Sequence, residues 1–441
     1  MTPGARIEAA IELLDEIRGG TRPADQVIDA YFKRRRYAGS GDRRAISERV
    51  YNLLRHRARI DWWIERTGLD GEPDTRRRLI ADLALSDKSS PGQTAELFSG
   101  ARHCPAALTA AETELADALY GRPLTHGEMP GPVRYEYPDW MEPSLSTLWG
   151  ERLETKISAL NQRAAVDLRV NTLKATPEVA EAALVSEFIE AQPTPLSPIG
   201  LRLTGTPRLG GTQAFKTGLV EIQDEGSQIV ALLTGAEPGM TVIDFCAGAG
   251  GKTLALASSM GIGGKMRGRL IACDVSDIRL ERMQPRLKRS GARHVECRQL
   301  RAKDDPWIAE NEGTADRVLA DVPCTGTGAW RRDPDAKWRY TPTDLDEIKA
   351  TQRRILTDAA HLVKTGGRLA YATCSLLQEE NEQQLAWFVD AHSEFRVLPI
   401  DRVWAETVGG PPPPPGPCLR LSPASTGTDG FFCAVLERVA D

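Results

Sequence analysis

An α/β architecture is expected of this sequence: a Rossmann-like, doubly wound domain preceded by an all-helical region and a small α+β module. Three features point to it. From about residue 226, short β-branched or apolar runs alternate with helical periodicity, the pattern of a parallel sheet covered on both faces. Residues 1–130 carry apolar positions at helical spacing. Residues 136–225 mix the two patterns.

In chain order, Ile7, Ala10, Ile11, Leu14 and Ile17 mark a first amphipathic helix, and Val27, Ile28, Tyr31 and Phe32 a second. Ile46, Val50, Leu53 and Leu54 mark another. The proline-rich stretch 122–143 reads as a linker. The middle module offers helices at 153–160 and 177–189 and strands at 166–170, 200–203 and 219–222. The last region, 226–441, offers strands at 241–245, 269–273, 317–321 and 368–373. A helix with Leu345, Ile348, Gln352, Ile355, Ala359 and Leu362 on one face is expected to start at Thr343 as N-cap. Residues 395–400 and 431–436 are expected to close the sheet, with the stiff proline run 411–415 between them.

Composition narrows the function. Across 441 residues, 41% hydrophobic and 27% charged usage is that of a globular protein and excludes wholesale disorder. No apolar run approaches the ~18 residues of a membrane span, and the N-terminus lacks an apolar signal core, so a cytoplasmic protein is expected. Eight scattered cysteines without a C-x-x-C pair, and six dispersed histidines, speak against a metal site. The net charge of −5 gives no bulk attraction to nucleic acid, so RNA contact requires local basic patches. One is Lys33–Arg34–Arg35–Arg36 followed by Arg43, Arg44, Arg49, Arg55, Arg57 and Arg59; another is Arg331, Arg332, Lys337 and Arg339. For any single arginine, a solvated helix face is the commoner role.

Four motifs carry chemistry. In VIDFCAGAGGKT (242–253), Asp244 ends a strand, Gly248, Gly250 and Gly251 let the backbone turn tightly against a ligand, and the next helix offers free N–H groups. The spacing is neither that of a P-loop nor G-x-G-x-x-G; a ligand-free turn is the alternative. Asp274 ends the next strand, where an acid takes the ribose hydroxyls of a nucleoside ligand or caps a helix. These two motifs suit a nicotinamide cofactor and S-adenosylmethionine equally. LADVPCTGTG places Asp321, Pro323 and Cys324 at the ligand edge of a third strand, and a thiol there points to carbon rather than exocyclic-nitrogen chemistry. A lone cysteine at a strand end is usually packing. However, LAYATCSLLQEEN puts Cys374 at the end of a neighbouring strand, which brings two thiols to one cleft. Glu379, Glu380 and Asn381 then open a helix; dipole capping and a catalytic part are both open for Glu380.

Together with QDEGSQ (223–228) and RLSPASTGTDGFFCAVLER near the C-terminus, these motifs resemble those of the RsmB/NOP/Sun family of S-adenosylmethionine-dependent RNA cytosine-5 methyltransferases. GDRRAISERVYNLLRHRARIDWWI is similar to the NusB-like RNA-binding domain of the bacterial ribosomal branch. The resemblance implies a NusB-like domain at 1–130, an RNA-binding module at 136–225 and a class I methyltransferase domain at 226–441. It implies S-adenosylmethionine held by Cys246, Ala247, Gly248, Ala249, Gly250, Gly251, Lys252, Asp274 and Asp321. The residues alone leave the nucleophile open between the two thiols; the resemblance makes it Cys374, with Cys324 assisting breakdown of the adduct. Asp321 is then expected to bond the cytosine edge or the cofactor, and Lys252 to favour the thiolate electrostatically. The chemistry needs such groups. Cytosine C5 is a poor nucleophile until a thiolate adds at C6, and a base must later remove the C5 proton.

Two departures stand out. Ala249 replaces a frequent proline, and Leu300 occupies a position that is often acidic near the adenine, so Asp304 substitutes or that bond is missing. Arg331, Arg332, Lys337 and Arg339, with Trp338, are expected to meet RNA. The expected substrate is 16S ribosomal RNA and the expected state a monomer. A tRNA-modifying enzyme, a non-catalytic assembly factor and a dehydrogenase are the rival readings.

Overall fold

The computed structural model describes residues 1–20, 22–69, 72–205 and 207–440. Two compact units emerge: Met1–Gln162 together with Trp330–Tyr340, and Arg163–Ala329 together with the chain from Thr341 onward. No helix among the described residues is long and apolar enough to cross a membrane.

The first unit is helical. Pro3–Arg18, Ala24–Arg34, Ser40–Arg55, Arg57–Arg66, Thr75–Leu85 and Ala110–Leu119 are its main helices. Thr2, Asp74 and Thr109 cap three of them, Thr109 through a capping box with Glu112. Leu13, Leu14, Val27, Ile46, Val50, Trp63, Leu79 and Leu83 fill one core. The stretch 122–143, expected to be a linker, belongs to that core: Met129 is buried in it, and Leu124 and Val133 pack against it. Trp63 Nε1 donates to the carbonyls of Pro123 and Leu124. Glu136, at φ +63° and fully buried, accepts from the Ala58 and Arg59 N–H groups and from Arg59 Nε. Proline richness marked an irregular path, and buried side chains anchor it.

Most of the first basic patch is spent on internal ion pairs: Lys33 with Asp29, Arg34 with Glu16, Arg35 with Glu12, Arg49 with Asp82, Arg57 with Asp61, and Arg59 with Glu136.

The second unit opens with four strands: β1 (Asp167–Val170), β2 (Ala191–Pro193), β3 (Gly200–Leu203) and β4 (Val220–Ile222). They pair antiparallel in the order β2-β3-β1-β4. Helix Pro177–Ser186 buries Ala180 and Leu184 against Leu168, Val170, Leu201 and Val220 of this sheet. The larger sheet contains β5 (Thr241–Asp244), β8 (Arg269–Asp274), β9 (Glu296–Gln299), β10 (Ala315–Asp321), β11 (Val363–Thr373), β12 (Phe395–Val397), β13 (Leu419–Leu421) and β14 (Phe431–Arg438). The short pair β6 (Gly261–Ile262) and β7 (Lys265–Met266) stands apart. Among the described residues the large sheet runs β12-β14-β11-β10-β5-β8-β9, with β13 beside β14.

The pairings β10–β11, β10–β5, β5–β8 and β8–β9 are parallel; β14 runs antiparallel to β11, β12 and β13. The chain steps outward from β5 to β8 and β9, then returns to the other side of β5 at β10. A crevice opens at such a reversal, beyond the carboxyl ends of the strands. Alternate residues of each strand enter opposite layers: Val242 and Leu270 join one apolar cluster, Ile243 and Ile271 the other.

Two expectations shift. The long helix is Pro342–Leu362, capped by Thr341 rather than Thr343, because Pro342 suits the first helical position and Asp344 completes a capping box. The edge strand β9, polar and largely exposed, carries no apolar signal and was not foreseen.

Replacing Glu136 by Ala leaves Arg59 without its buried acceptor, so the helical unit should lose about 3 kcal/mol of stability, read as a lower urea midpoint by far-UV circular dichroism.

Candidate active site

The site is built at the carboxyl ends of β5, β8, β10 and β11. Asp244, the last residue of β5, is buried. Its Oδ2 accepts from Thr253 Oγ1 at 2.6 Å, while its Oδ1 has no protein partner. Burial pushes this carboxyl up to about 7, against the pull of the Thr253 hydroxyl. The loop that follows turns on Gly248 (φ +55°) and Gly250 (φ +85°). Helix Gly251–Ser259 begins there with no side-chain cap, which leaves its first N–H groups for a ligand. Ala249 takes no left-handed φ, and its carbonyl accepts from Arg286 Nη1 at 2.6 Å, so the exchange for proline is accommodated.

Asp274, at the end of β8, braces this loop. Its Oδ2 accepts the Gly248 N–H at 2.8 Å and its Oδ1 the Ser276 N–H at 2.8 Å. Beyond β8 and β9 lies a cleft of about 660 Å³ lined in part by Val275, Arg298, Gln299, Leu300 and Arg301. Leu300 is buried and its N–H bonds the Asp274 carbonyl at 3.0 Å. Asp304 is exposed at φ +51°. The neighbouring Asp305 accepts from the Arg301 and Trp307 N–H groups, at 2.7 and 2.9 Å.

The two thiols meet. Parallel pairing of β10 with β11 places Asp321 opposite Ala372, so both chains leave the sheet at one level. Cys324 Sγ and Cys374 Sγ lie 3.4 Å apart, and both residues are half-buried. The Gly328 N–H donates to the Cys374 carbonyl at 2.9 Å. Gly328 also presses against Gly430: a Cβ on Gly328 would sit 2.2 Å from the Gly430 carbonyl oxygen. The hydrogen bond to Cys374, then burial, then the charges of Cys374 and Glu380 hold the Cys324 thiol well above the usual cysteine value. The pair therefore supports one thiolate at a time, with one sulfur donating to the other. By contrast Cys246 is an inert thiol, pushed far up by burial and by the carboxylates around it.

Lys252, two residues past Gly250, reaches back to Asp321 Oδ2 at 2.6 Å and lies 5.3 Å from the Phe431 ring centroid. Burial opposes its charge, but Asp321, Cys374 and Asp244 hold it above the usual lysine value.

Sequence reasoning left Glu380 between two roles. It lies in the 3-10 turn Gln378–Glu380, ahead of helix Glu382–Ala391, and its side chain turns to the thiol loops. It accepts from the Thr325 N–H at 2.9 Å, the Thr325 and Ser375 hydroxyls, and Gln352 Nε2 at 3.1 Å. Thr325, Ser375 and Gln352 carried no signal of their own beyond adjacency to the cysteines and a polar place on an apolar helix face.

The second basic cluster lies mostly among enclosed or paired side chains. Trp330–Tyr340 packs with the helical unit. There Lys337 is fully buried, with Nζ bonded to Asn161 Oδ1, and burial lowers its pKa to about 7 against the pull of Glu136. Arg331 is buried too. Arg339 is held by Asp333 and Asp335. Enclosure takes Lys337 out of reach of a phosphate, and two carboxylates offset the Arg339 charge. Arg332 is half-buried, and Arg57 lies 5.6 Å from the Trp338 ring centroid. Among the described residues no group of three or more His, Cys, Asp or Glu side chains could hold a metal ion.

A glycine loop at the sheet's reversal, an unpartnered buried carboxylate oxygen beside it and an acid on the adjoining strand define a Rossmann-like domain with a nucleoside-cofactor site at this edge. Comparison with known proteins narrows the class. The family described as 16S rRNA methyltransferase RsmB/F matches residues 231–437, and its ferredoxin-like domain matches 137–209. The chain is 30% identical to ribosomal RNA small subunit methyltransferase B of Pectobacterium atrosepticum, over 73% of this chain and 70% of that one. It is 28% identical to a probable ribosomal RNA small subunit methyltransferase B of Synechocystis, over 90% and 91% of the two chains. The crystal structure of PH0851 superposes with a TM-score of 0.79 at 28% identity over 99% of both chains. The chain belongs to the RsmB/F methyltransferase family. It is an RNA methyltransferase that uses S-adenosylmethionine.

The glycine loop yields a test. A Cβ on Gly250 would meet Met283 Cγ at 2.4 Å at a φ unsuited to side chains, so Gly250→Ala should weaken S-adenosylmethionine binding roughly tenfold or more by titration calorimetry.

Proposed function

We propose that the chain methylates C5 of a cytosine in RNA, 16S ribosomal RNA being the substrate, through a transient bond between Cys374 Sγ and cytosine C6. The observation that carries this reading is the 3.4 Å approach of two half-buried thiols beside the Lys252–Asp321 pair. Packing alone does not call for two thiols at the ligand edge of a sheet, and transfer to a nitrogen needs neither.

The steps follow from the groups present. Cys374 attacks C6 as the thiolate; the C6–S bond forms and the ring's electron density shifts onto C5. Lys252 supplies a fixed positive charge near Cys374. Asp321, anchored by Lys252, directs a carboxylate at the amino edge of the ring. Cys246 to Lys252, Asp244, Asp274 and Asp321 would hold S-adenosylmethionine, which supplies an electrophilic methyl group when bound. With Cys374 bonded to C6, its charge no longer opposes ionisation of Cys324; Cys324, having lost its own proton to solvent, takes the C5 proton as a thiolate once C5 carries the methyl group and becomes a thiol. The C6–S bond then breaks and Cys374 leaves as thiolate, restoring the aromatic ring. A base buried in a helix cannot reach these thiols, so the target must be unpaired or flipped out. Ribosomal RNA is favoured over tRNA because the relatives are named ribosomal RNA small subunit methyltransferases. The reading includes a monomeric enzyme working in the cytoplasm.

Purified protein incubated with S-adenosylmethionine and unmethylated 16S ribosomal RNA or tRNA should leave a single bisulfite-resistant cytosine in the ribosomal RNA. Cys374→Ala should lower the rate about 10⁴-fold or more while S-adenosylmethionine still binds. Cys324→Ala should accumulate a protein–RNA adduct that survives denaturing electrophoresis. Full activity in Cys374→Ala would overturn the nucleophile assignment, and methylated tRNA with untouched ribosomal RNA would overturn the substrate.

A further inference from the structure

We propose that Glu380 is a positioning residue that clamps the Cys324 loop to the Cys374 loop and so sets the distance between the two sulfurs. Its catalytic consequence rests on the cytosine-5 reading above; the clamp itself rests on geometry.

The sheet cannot do this work. Parallel pairing of β10 with β11 ends at Asp321 and Ala372, before either cysteine. Beyond that point the two loops share no ladder; the Gly328 N–H to Cys374 carbonyl bond ties them at one point, and side chains supply the rest. Glu380 is fully buried, and each donor it accepts from serves those loops. Thr325, which follows Cys324, gives its N–H at 2.9 Å and its hydroxyl. Ser375, which follows Cys374, gives its hydroxyl. Gln352 Nε2 bonds Glu380 Oε1 at 3.1 Å and the Pro323 carbonyl, immediately before Cys324, at 3.0 Å. Both peptides that flank Cys324 are thus tied to one carboxylate, and so is the residue after Cys374.

One more hydroxyl adds to the link: Thr327 Oγ1, 3.2 Å from Ser375 Oγ, donates to it and accepts the Leu376 N–H at 2.7 Å. Glu380 is itself held, because its carbonyl accepts from the Tyr371 hydroxyl of β11. A buried carboxylate is costly unless it is fully hydrogen-bonded, and apolar side chains would fill the same space more cheaply. What the carboxylate adds is simultaneous acceptance from two loops.

Its charge also acts on the thiols. The hydrogen bond to Cys374, burial and then the charges of Cys374 and Glu380 disfavour a thiolate at Cys324. Lys252, for its part, gains from negative charge on Cys374. The two influences set the surroundings of the thiols apart, with an anion on the side of Cys324 and a cation on the side of Cys374.

A trivalent arsenical reads the clamp without reference to methylation, because phenylarsine oxide chelates two thiols only when they can share one arsenic atom. The full chain should bind it tightly, and Cys324→Ser should define the background from the other cysteines. Glu380→Ala should lose chelation at least tenfold. It should also lose on the order of 10²-fold in kcat, with unchanged KM for RNA and unchanged S-adenosylmethionine affinity. Glu380→Gln keeps one acceptor oxygen and should recover part of both. Ser375→Ala, which deletes one donor and spares the core, should show a smaller loss in both readouts. Wild-type chelation in Glu380→Ala or Ser375→Ala, or a defect confined to KM, overturns the proposal. If the wild-type chain makes no 5-methylcytosine, the cytosine-5 reading falls, and the arsenical comparison still decides for or against the clamp.

Discussion

Everything at the site depends on the parallel pairing of β10 with β11 beside β5. That pairing sets Val318 next to both Ile243 and Leu369, and carries the register forward to Asp321 opposite Ala372. A shift of one residue would turn each side chain to the other face of the sheet, placing apolar Leu319 and Ala370 in the wrong layer and parting the thiols. The register is specified by burial on both faces, since Val318, Leu319, Ala320, Leu369, Ala370 and Tyr371 are all buried. The core therefore fixes the level at which the two loops leave the sheet, and the groups beyond it set how closely the sulfurs meet.

Charge is then arranged around those sulfurs in opposite senses. Lys252 comes from the glycine loop after β5 and is anchored by Asp321 from β10, so the cofactor loop and the first cysteine strand are joined by one ion pair. Glu380 reaches the opposite side from beyond β11. Between a cation near Cys374 and an anion near Cys324, the two thiols are not equivalent, although they stand at matching strand ends. Chemical inequality of like groups through unlike surroundings is how an acid and a base are made from one residue type. Asp274 is spent partly on the loop itself, holding the Gly248 and Ser276 N–H groups. Such bracing keeps a strained turn in place before any ligand arrives.

The sequence showed the catalytic layout more readily than its support. Strand ends followed by Asp244, Asp274, Cys324 and Cys374 were readable because apolar runs locate strands and because ligand chemistry gathers at one edge of a parallel sheet. Glu380 was legible as a residue but ambiguous in role: an acid near a helix start looks the same in sequence whether it caps that helix or bonds a loop 55 positions earlier. Edge strand β9 was invisible, since its residues face solvent and lack the apolar pattern. The stretch 122–143 misled, because prolines report on backbone regularity and say nothing of burial; Met129, Tyr137 and Met141 are core residues. No acidic side chain stands at Leu300, which is buried, and Asp304 is exposed to solvent.

A count of basic residues says little by itself about contact with a polyanion, for a physical reason. Arginine is the residue best suited to buried ion pairs as well as to phosphate. In this chain the dense N-terminal run answers mostly to Asp29, Glu12, Glu16, Asp61, Asp82 and Glu136. Lys337 lies against Asn161 and Trp330, and Arg339 is shared between Asp333 and Asp335. With a net charge of −5 and this much internal pairing, the number of arginines overstates the positive charge left at the surface for any polyanion.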